Sequence, residues 1–265
     1  MHQVLHWLHK LRDPEILALV LITMTLAMMA APHLGQKLLR LPERKERDEA
    51  VFSAFSAVVS MLGVVLAFSL VQANNTLREF QGKVTKEAVV FEALDRTLLR
   101  IGKPGFAELR PTLAAYGQSI LIDEWPKLVD GGRSAAADEL FNALSRGVHG
   151  LSPDDARQQT MYGELVKALD DLANIREELI TGADPETSGL PAFFWATIVG
   201  LIAVAFCLAT LATASLGRTV AVGAAAAAIS LLLAFVIIVD IPFEGETSVS
   251  PRPLEKALMI NAKRR

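Results

Sequence analysis

The sequence has one cysteine, Cys207, and none of the motifs that bind nucleotide phosphates, a catalytic zinc or a nucleophilic serine. A single thiol excludes a disulfide framework and a cysteine metal site. No basic stripe with interleaved aromatic residues is present, and the formal net charge is only −3, so nothing indicates nucleic-acid binding. We therefore predict that the protein is not an enzyme and has no cofactor, metal or nucleic-acid partner.

Apolar residues are abundant, at 52% of 265 residues, and the mean hydropathy is +0.36. They are concentrated in four segments, 16–34, 50–73, 190–216 and 219–241, each free of Lys, Arg, Asp and Glu until its ends. A helix that crosses the hydrocarbon core needs about 20 such residues. The sequence therefore predicts an all-α polytopic membrane protein with four transmembrane helices, in which residues 190–241 form a hairpin.

The first of these segments has one alternative interpretation, a cleaved signal peptide. Met28 and Met29 fit the small-residue cleavage positions poorly, so a retained helix is favoured. Residues 1–73 then comprise an amphipathic N-terminal segment followed by transmembrane helices one and two.

The region between helices two and three, residues 74–189, has the composition of a soluble helical bundle. From Leu77 it keeps a seven-residue apolar rhythm, which only Glu87 interrupts. Such a rhythm predicts a helix packed lengthwise on others, within the chain or between subunits. Because no proline lies between Val51 and Ile101, helix two is expected to continue into this insert as one helix of about 50 residues, or about 75 Å.

Small and polar residues recur three or four positions apart in helix two, as Ser53, Ser56, Ser60 and Gly63. One interpretation is a helix–helix seam whose serines bond to backbone carbonyls. The other is the wall of a polar pathway. Both stay open at the level of sequence.

Two short motifs are candidate structural or functional sites. In the insert, Glu124, Trp125 and Pro126 suggest an interfacial tryptophan with a proline that ends or kinks a helix. At the end of helix four, Asp240, Pro242, Phe243 and Gly245 predict that the chain leaves the membrane and turns along its surface. We expect Asp240 to accept hydrogen bonds from the tail, 242–265, or to pair with Arg78, and Pro251 and Pro253 to keep that tail extended.

Membrane orientation follows from the distribution of basic residues. The insert and both termini must share one side, because two helices separate each from the next. Basic residues in short loops favour the cytoplasm, and the loop after helix one is rich in them: Lys37, Arg40, Arg44, Lys45 and Arg47. The balance slightly favours an extracytoplasmic insert.

The tail carries a resemblance to a known family. The segments 240–245, Asp-Ile-Pro-Phe-Glu-Gly, and 249–254, Val-Ser-Pro-Arg-Pro-Leu, resemble the closing motif of the bestrophin-like bacterial membrane proteins. Ile238 and Ile241 depart from it, since the family has an aspartate at the first position and often an arginine at the second. The resemblance implies kinship with bestrophins, which are oligomeric anion channels whose topology would put the insert in the cytoplasm.

Two functions remain in view. The first is a homo-oligomeric channel for small anions, lined by helix two. The second is a non-conducting membrane-anchored sensor or scaffold whose acidic helical insert binds a partner.

Overall fold

The computed structural model describes residues 11–39, 45–129, 131–184, 189–240, 242–243 and 245–264. The predicted amphipathic segment at 1–10 lies outside these ranges. Within them the chain is helical and contains no strand, as the all-α prediction requires. The helices are α1 (Asp13–Leu39), α2 (Lys45–Arg100), α3 (Pro104–Ala107), α4 (Arg110–Ser119), a π-helical turn (Ile120–Glu124), α5 (Trp125–Leu128), α6 (Ala135–His149), α7 (Ala156–Gly182), α8 (Ala192–Leu211), α9 (Leu216–Asp240) and α10 (Arg252–Lys263).

The chain divides into two compact units. The membrane unit comprises residues 1–77 and 189–248, and the insert unit comprises 78–188 and 249–265. Four helices, α1, α2, α8 and α9, are long and apolar enough to cross a membrane, which agrees with the four predicted segments. The tail was predicted as a region of its own, 242–265. From Val249 it belongs to the insert unit.

Helix α2 is continuous over 56 residues, so the predicted long helix is confirmed. Its heptad positions in the insert unit are buried, including Val84, Phe91, Leu94 and Leu98. Of these, Phe91, Leu94 and Leu98 form one apolar core with residues of the insert helices, such as Leu113 of α4. The seam therefore packs within the chain.

In the membrane unit, α1 packs against both α8 and α9. Its core joins Ile16 of α1, Leu62 and Leu66 of α2, and Trp195 of α8. Near the end of α1 the backbones approach so closely that a Cβ atom on Gly35 would lie 1.7 Å from the carbonyl oxygen of Thr210. Any side chain at this position would clash, so glycine is required there. The close backbone approach that glycine permits supplies contact energy between lipid-embedded helices.

Three local predictions differ from the structure. The turn between the last two membrane helices was expected at 216–219 but lies at 212–215, because Ala212 is extended, with ψ 147°, and Asp48 accepts the N–H of Thr213. The sequence Ser152-Pro153-Asp154-Asp155 predicts a helix start with Ser152 as its cap. Helix α7 is instead capped one turn later by Asp155, which accepts the N–H of Gln158 at 2.7 Å.

The third difference is in the tail, where two prolines were expected to keep the chain extended. Instead α10 begins beside them: Pro251 has helical angles, with φ −74° and ψ 0°, and Pro253 lies in the first turn. Proline is tolerated in a first helical turn because no intrahelical acceptor is available there for an N–H. Proline spacing therefore marks the start of this helix.

Candidate functional site

The serine stripe of α2 lies on the outward face of the single chain. Ser53, Ser56 and Ser60 are exposed, and the Ser60 hydroxyl donates to the Ser56 carbonyl at 2.8 Å. Gly63 is half-buried, and a Cβ atom there would lie 3.8 Å from Ile229 Cδ1. The backbone bond fits the interpretation as a helix seam. A seam formed by these three serines would have to involve something other than this chain's described residues.

The opposite face of the same segment is packed. Phe55, Leu62 and Leu66 are each no more than 3% exposed and belong to the core of the membrane unit. Because side chains on opposite faces of a helix are half a turn apart, this packing directs the serines outward. The orientation of the stripe is therefore fixed by the apolar side chains behind it.

The tail motif begins at a buried carboxylate. Asp240 ends α9 and is 5% exposed, and its Oδ1 accepts a hydrogen bond from the backbone N–H of Leu190 at 2.7 Å. That bond joins the end of the last membrane helix to the segment that leads into α8. The predicted pairing with Arg78 stays a prediction.

The rest of the tail motif forms a turn. Pro242 and Phe243 are buried, while Gly245 has φ +88° and so takes the left-handed conformation that glycine favours. Two residues later the Thr247 hydroxyl donates to Asp13 Oδ2 at 2.6 Å, at the start of α1. The segment that follows the motif is therefore linked to the start of α1 within the membrane unit.

A second polar cluster lies at the turn between α8 and α9. Asp48, near the start of α2, accepts hydrogen bonds from the Thr213 N–H at 3.2 Å, from the Thr213 hydroxyl and from Arg218 Nη1 at 2.5 Å. Arg218 is thus paired inside the membrane unit.

The insert unit contains a buried ionic group centred on the predicted Glu124. Both carboxylate oxygens of Glu124 accept from Arg176 of α7, at 2.9 Å from Nε and 2.5 Å from Nη2. Glu124 Oε2 also accepts the backbone N–H of Ser134, the N-cap of α6, at 3.2 Å. Arg176 Nη1 lies 2.8 Å from Asp138 of the same helix α6. One guanidinium therefore holds the π-helical turn, α6 and α7 together.

Two further buried residues belong to this group. Glu87, the residue that interrupts the heptad rhythm, is 2% exposed, and the ring of Tyr116 has its centroid 6.0 Å from Arg176 Cζ. Among the described residues, the buried Tyr116 hydroxyl has no hydrogen-bond partner. We call Glu87, Tyr116, Glu124, Asp138 and Arg176 the Glu124 cluster.

Burial and neighbouring charges shift the pKa values of the residues in the Glu124 cluster in different ways. Burial and then the negative charge of Glu124 raise the pKa of Glu87 to about 8, although Arg176 opposes the shift. Burial also raises the pKa of Tyr116 well above its ordinary value. For Arg176, burial alone would lower the pKa, but the hydrogen bonds and charge of Glu124 outweigh it and raise the value. Glu87 is therefore the acid of the cluster whose neutral form burial favours.

The backbone at Glu124 departs from a regular α-helix. Residues 120–124 form a π-helical turn, in which the Trp125 N–H bonds to the carbonyl of Ile120, five residues back. Pro126 follows and has no N–H to offer the carbonyl of residue 122. Single π-helical turns are often found at functional sites. Pro126 of the predicted motif therefore lies directly after the π-helical turn, in the first turn of the short helix α5.

A second buried network, the Asp95 cluster, consists of Asp95, Arg110, Asn261 and Arg264. Asp95 Oδ1 accepts from Arg110 Nε at 2.6 Å and from Asn261 Nδ2 at 2.7 Å, and Arg264 lies 3.3 Å from Oδ2. It attaches α10 to α2 and α4. No group of three or more metal-binding side chains exists among the described residues.

Sequence reasoning missed Arg176, Tyr116, Asp138 and the whole Asp95 cluster. Two signals were available for the first group. Glu87 breaks an apolar seam, and Arg176 lies four residues after Leu172 on the buried stripe of α7. A charged residue at a core position of each of two helices suggests a pair, but the partner Glu124 is 52 residues from Arg176.

Known proteins similar to this chain share its fold. A structure of a bacterial bestrophin homolog from Klebsiella pneumoniae is 14% identical, with a TM-score of 0.63, and the match covers 93% of this chain and 95% of that one. A point variant of that homolog matches at 13% identity and a TM-score of 0.61, covering 94% and 98% of the two chains. A structure described only as a membrane protein matches at 13% and 0.64, covering 94% and 96%.

No curated protein matches the chain significantly. A model of the bestrophin-like domain, however, matches residues 17–254, which is nearly the whole of it. The charge-poor helices and the helical fold agree with that match. The chain therefore belongs to the bestrophin-like family of membrane proteins.

Proposed function

We propose that the protein is an oligomeric channel for small anions and that the 50–73 part of α2 lines its path. The observation that carries the proposal is the outward serine stripe, Ser53, Ser56 and Ser60, opposite a packed apolar face. Membership of the bestrophin-like family supports the same function.

The chemistry of the stripe suits such a path. A membrane helix that faces only lipid needs no hydroxyl groups, and polar side chains within a bilayer generally face a bundle interior or water. Serine hydroxyls can donate hydrogen bonds to an anion that has lost part of its water shell, as pore-lining dipoles do. Because the stripe packs against no other part of the described membrane unit, several copies around an axis would bring the stripes together.

Anion flux from liposomes that contain the purified oligomer tests the proposal. In a Cys207→Ser background, Ser60→Cys should give flux that a charged thiol reagent blocks. Val199→Cys is the matched control, because Val199 is 55% exposed on α8, outside the stripe. We expect the reagent to leave its flux unchanged.

Absence of flux from a well-folded oligomer over a range of pH and calcium would contradict the channel. It would favour the alternative, a membrane-anchored sensor or scaffold whose acidic insert binds a partner. Block of both cysteine variants would instead show that the reagent acts outside the path.

For orientation, the basic loop after α1 favours a cytoplasmic loop and therefore an extracytoplasmic insert with both termini on its side. A single cysteine at exposed Glu79, in the Cys207→Ser background, should react with a membrane-impermeant reagent in intact cells. Reaction only after the membrane is permeabilised would reverse the orientation, and the bestrophin topology would then apply.

A further inference from the structure

Glu87 differs from the other acids of the Glu124 cluster in its position. It lies on α2 between the apolar seam residues Val84 and Phe91, whereas Glu124 and Asp138 lie directly against Arg176. It is also on the helix that contains the 50–73 segment, roughly four turns beyond Ala73.

We propose that Glu87 is a proton-binding site through which the insert unit senses pH, with its neutral form holding the Glu124 cluster closed and its ionised form loosening it. The proton is the ligand, and burial together with the charges of Glu124 and Arg176 decides its affinity. No metal or organic group is needed.

The surrounding groups cannot neutralise a second carboxylate. Glu87 is 2% exposed, and the charges of Glu124 and Arg176 act on it, as its own charge acts on Tyr116. Asp138 of α6 lies against Arg176. Arg176 already makes two bonds to Glu124 and one to Asp138.

Arg133, at the exposed edge of the Glu124 cluster, compensates little of its negative charge. Arg133 lies 3.6 Å from Asp138 and also pairs with Glu177, but its side chain is 43% exposed, so solvent screens it. An ionised Glu87 would therefore compete with Glu124 for a single guanidinium in a buried site, where an unpaired charge is unfavourable.

The direction of the pH dependence follows from linkage. The folded pKa of Glu87 is raised to about 8 from an ordinary value of 4.5, so the folded state binds its proton more tightly than the unfolded state does. The neutral form's contribution is complete below about pH 4.5 and is lost as pH rises toward 8. Because one proton is released when the Glu124 cluster opens, the equilibrium constant for opening rises about tenfold per pH unit between these two values.

Glu87→Gln imitates the neutral carboxyl and should remove this dependence. We would measure hydrogen exchange of the α2 and α7 amides from pH 5 to 9, corrected for the intrinsic rate, in detergent-purified protein. We would divide the equilibrium constant for opening of the wild type by that of Glu87→Gln. This ratio should rise about tenfold per pH unit and become constant near pH 8. Glu79→Gln is the matched control, since Glu79 is 65% exposed on the same helix and should follow the wild type.

A ratio that stays constant from pH 5 to 9 would overturn the proposal. If Glu87→Gln fails to fold, infrared titration of the wild type decides instead, since a buried protonated carboxyl should disappear on raising the pH through about 8. Its disappearance below pH 6 would equally overturn the proposal.

A consequence for transport rests on the proposed channel function. If the protein conducts, flux should change with pH on the insert side in the wild type and in Glu79→Gln, but not in Glu87→Gln. Exchange that depends on pH without any flux would contradict the channel while supporting the proton site. Flux that depends on pH equally in all three proteins would assign its control elsewhere and contradict the role of Glu87 in transport.

Discussion

The two buried ionic networks of the insert unit differ in their balance of donors and acceptors. In the Asp95 cluster, one carboxylate receives Arg110, Asn261 and Arg264. In the Glu124 cluster, Arg176 pairs with two carboxyl groups, Glu124 and Asp138, while a third, Glu87, is also within its electrostatic influence. The Tyr116 hydroxyl has no hydrogen-bond partner in the described part of the chain. Both networks are buried, so burial alone does not make a site responsive. The excess of acid over donor is what leaves the Glu124 cluster sensitive to pH.

The same difference predicts how well each network tolerates the removal of one hydrogen-bond donor. Removing one donor from Asp95 leaves two others in place. Removing Arg176 leaves Glu124 with the Ser134 N–H as its one remaining described donor and leaves Asp138 with Arg133. Redundancy therefore protects the Asp95 cluster and is missing from the Glu124 cluster.

The largest effect should come from Arg176→Met. Because breaking a buried ion pair from one side leaves an uncompensated charge, the free energy of unfolding should fall by about 3–5 kcal/mol. Arg110→Met should lose less, about 1–3 kcal/mol, since Asp95 keeps two donors. Urea titration in detergent measures both. Arg157→Met, at an exposed position of α7, is the control and should stay within about 0.5 kcal/mol of wild type.

Equal losses for Arg176→Met and Arg110→Met would contradict the difference in redundancy. A larger loss for Arg110→Met would reverse it and make the Asp95 cluster the less tolerant network.

A buried carboxylate of the membrane unit extends the comparison. Asp240 accepts the Leu190 N–H at 2.7 Å, so Asp240→Leu should lower the stability in detergent by about 1–3 kcal/mol, the range for one charge-assisted bond. Asp240→Asn keeps an oxygen acceptor and should lose less than half as much. Melting temperature and oligomer size provide the measurement. A leucine variant that matches the wild type in both would leave Asp240 as an ordinary end of the helix.

Asn261→Leu tests one donor of the Asp95 cluster by itself. The substitution removes the Nδ2 bond at 2.7 Å but leaves both arginines, so we expect a loss of about 1–2 kcal/mol. Met259→Leu, at a 64% exposed position of the same helix α10, should change little. A loss from Asn261→Leu as large as that from Arg176→Met would show that the Asp95 cluster is not redundant.

The membrane segments were predictable because each rests on local composition, and α2 was predictable as one helix because it lacks proline. The networks were not predictable, since Arg176 meets Glu124 across 52 residues, and Asn261 meets Asp95 across 166. Such pairs depend on how helices pack, which periodicity does not specify. Glu87 was visible as an interruption of the seam, although its neighbours were not. The α10 helix was missed because Pro251 and Pro253 were interpreted as breakers.

The smallest effect should come from Tyr116→Phe. The buried phenol hydroxyl has no hydrogen-bond partner within the ranges that the structure describes, so removing it takes away a desolvated polar group without breaking a described bond. We expect the free energy of unfolding to stay within about 0.5 kcal/mol of wild type or to rise slightly. Tyr116→Leu is the contrasting variant. It removes the ring that packs against Phe141, with centroids 5.5 Å apart, and that lies near Arg176, and should cost about 2–4 kcal/mol.

The pair of Tyr116 variants separates the hydroxyl from the ring within the Glu124 cluster. If Tyr116→Phe lost as much stability as Tyr116→Leu, the hydroxyl would have to donate a hydrogen bond, and Glu87 is the nearby acid that could accept it. An ionised Glu87 would then have a donor of its own, and the pH dependence described above would weaken. A Phe variant that keeps both the wild-type stability and its pH profile, beside a Leu variant that loses stability, supports a cluster with more acid than donors.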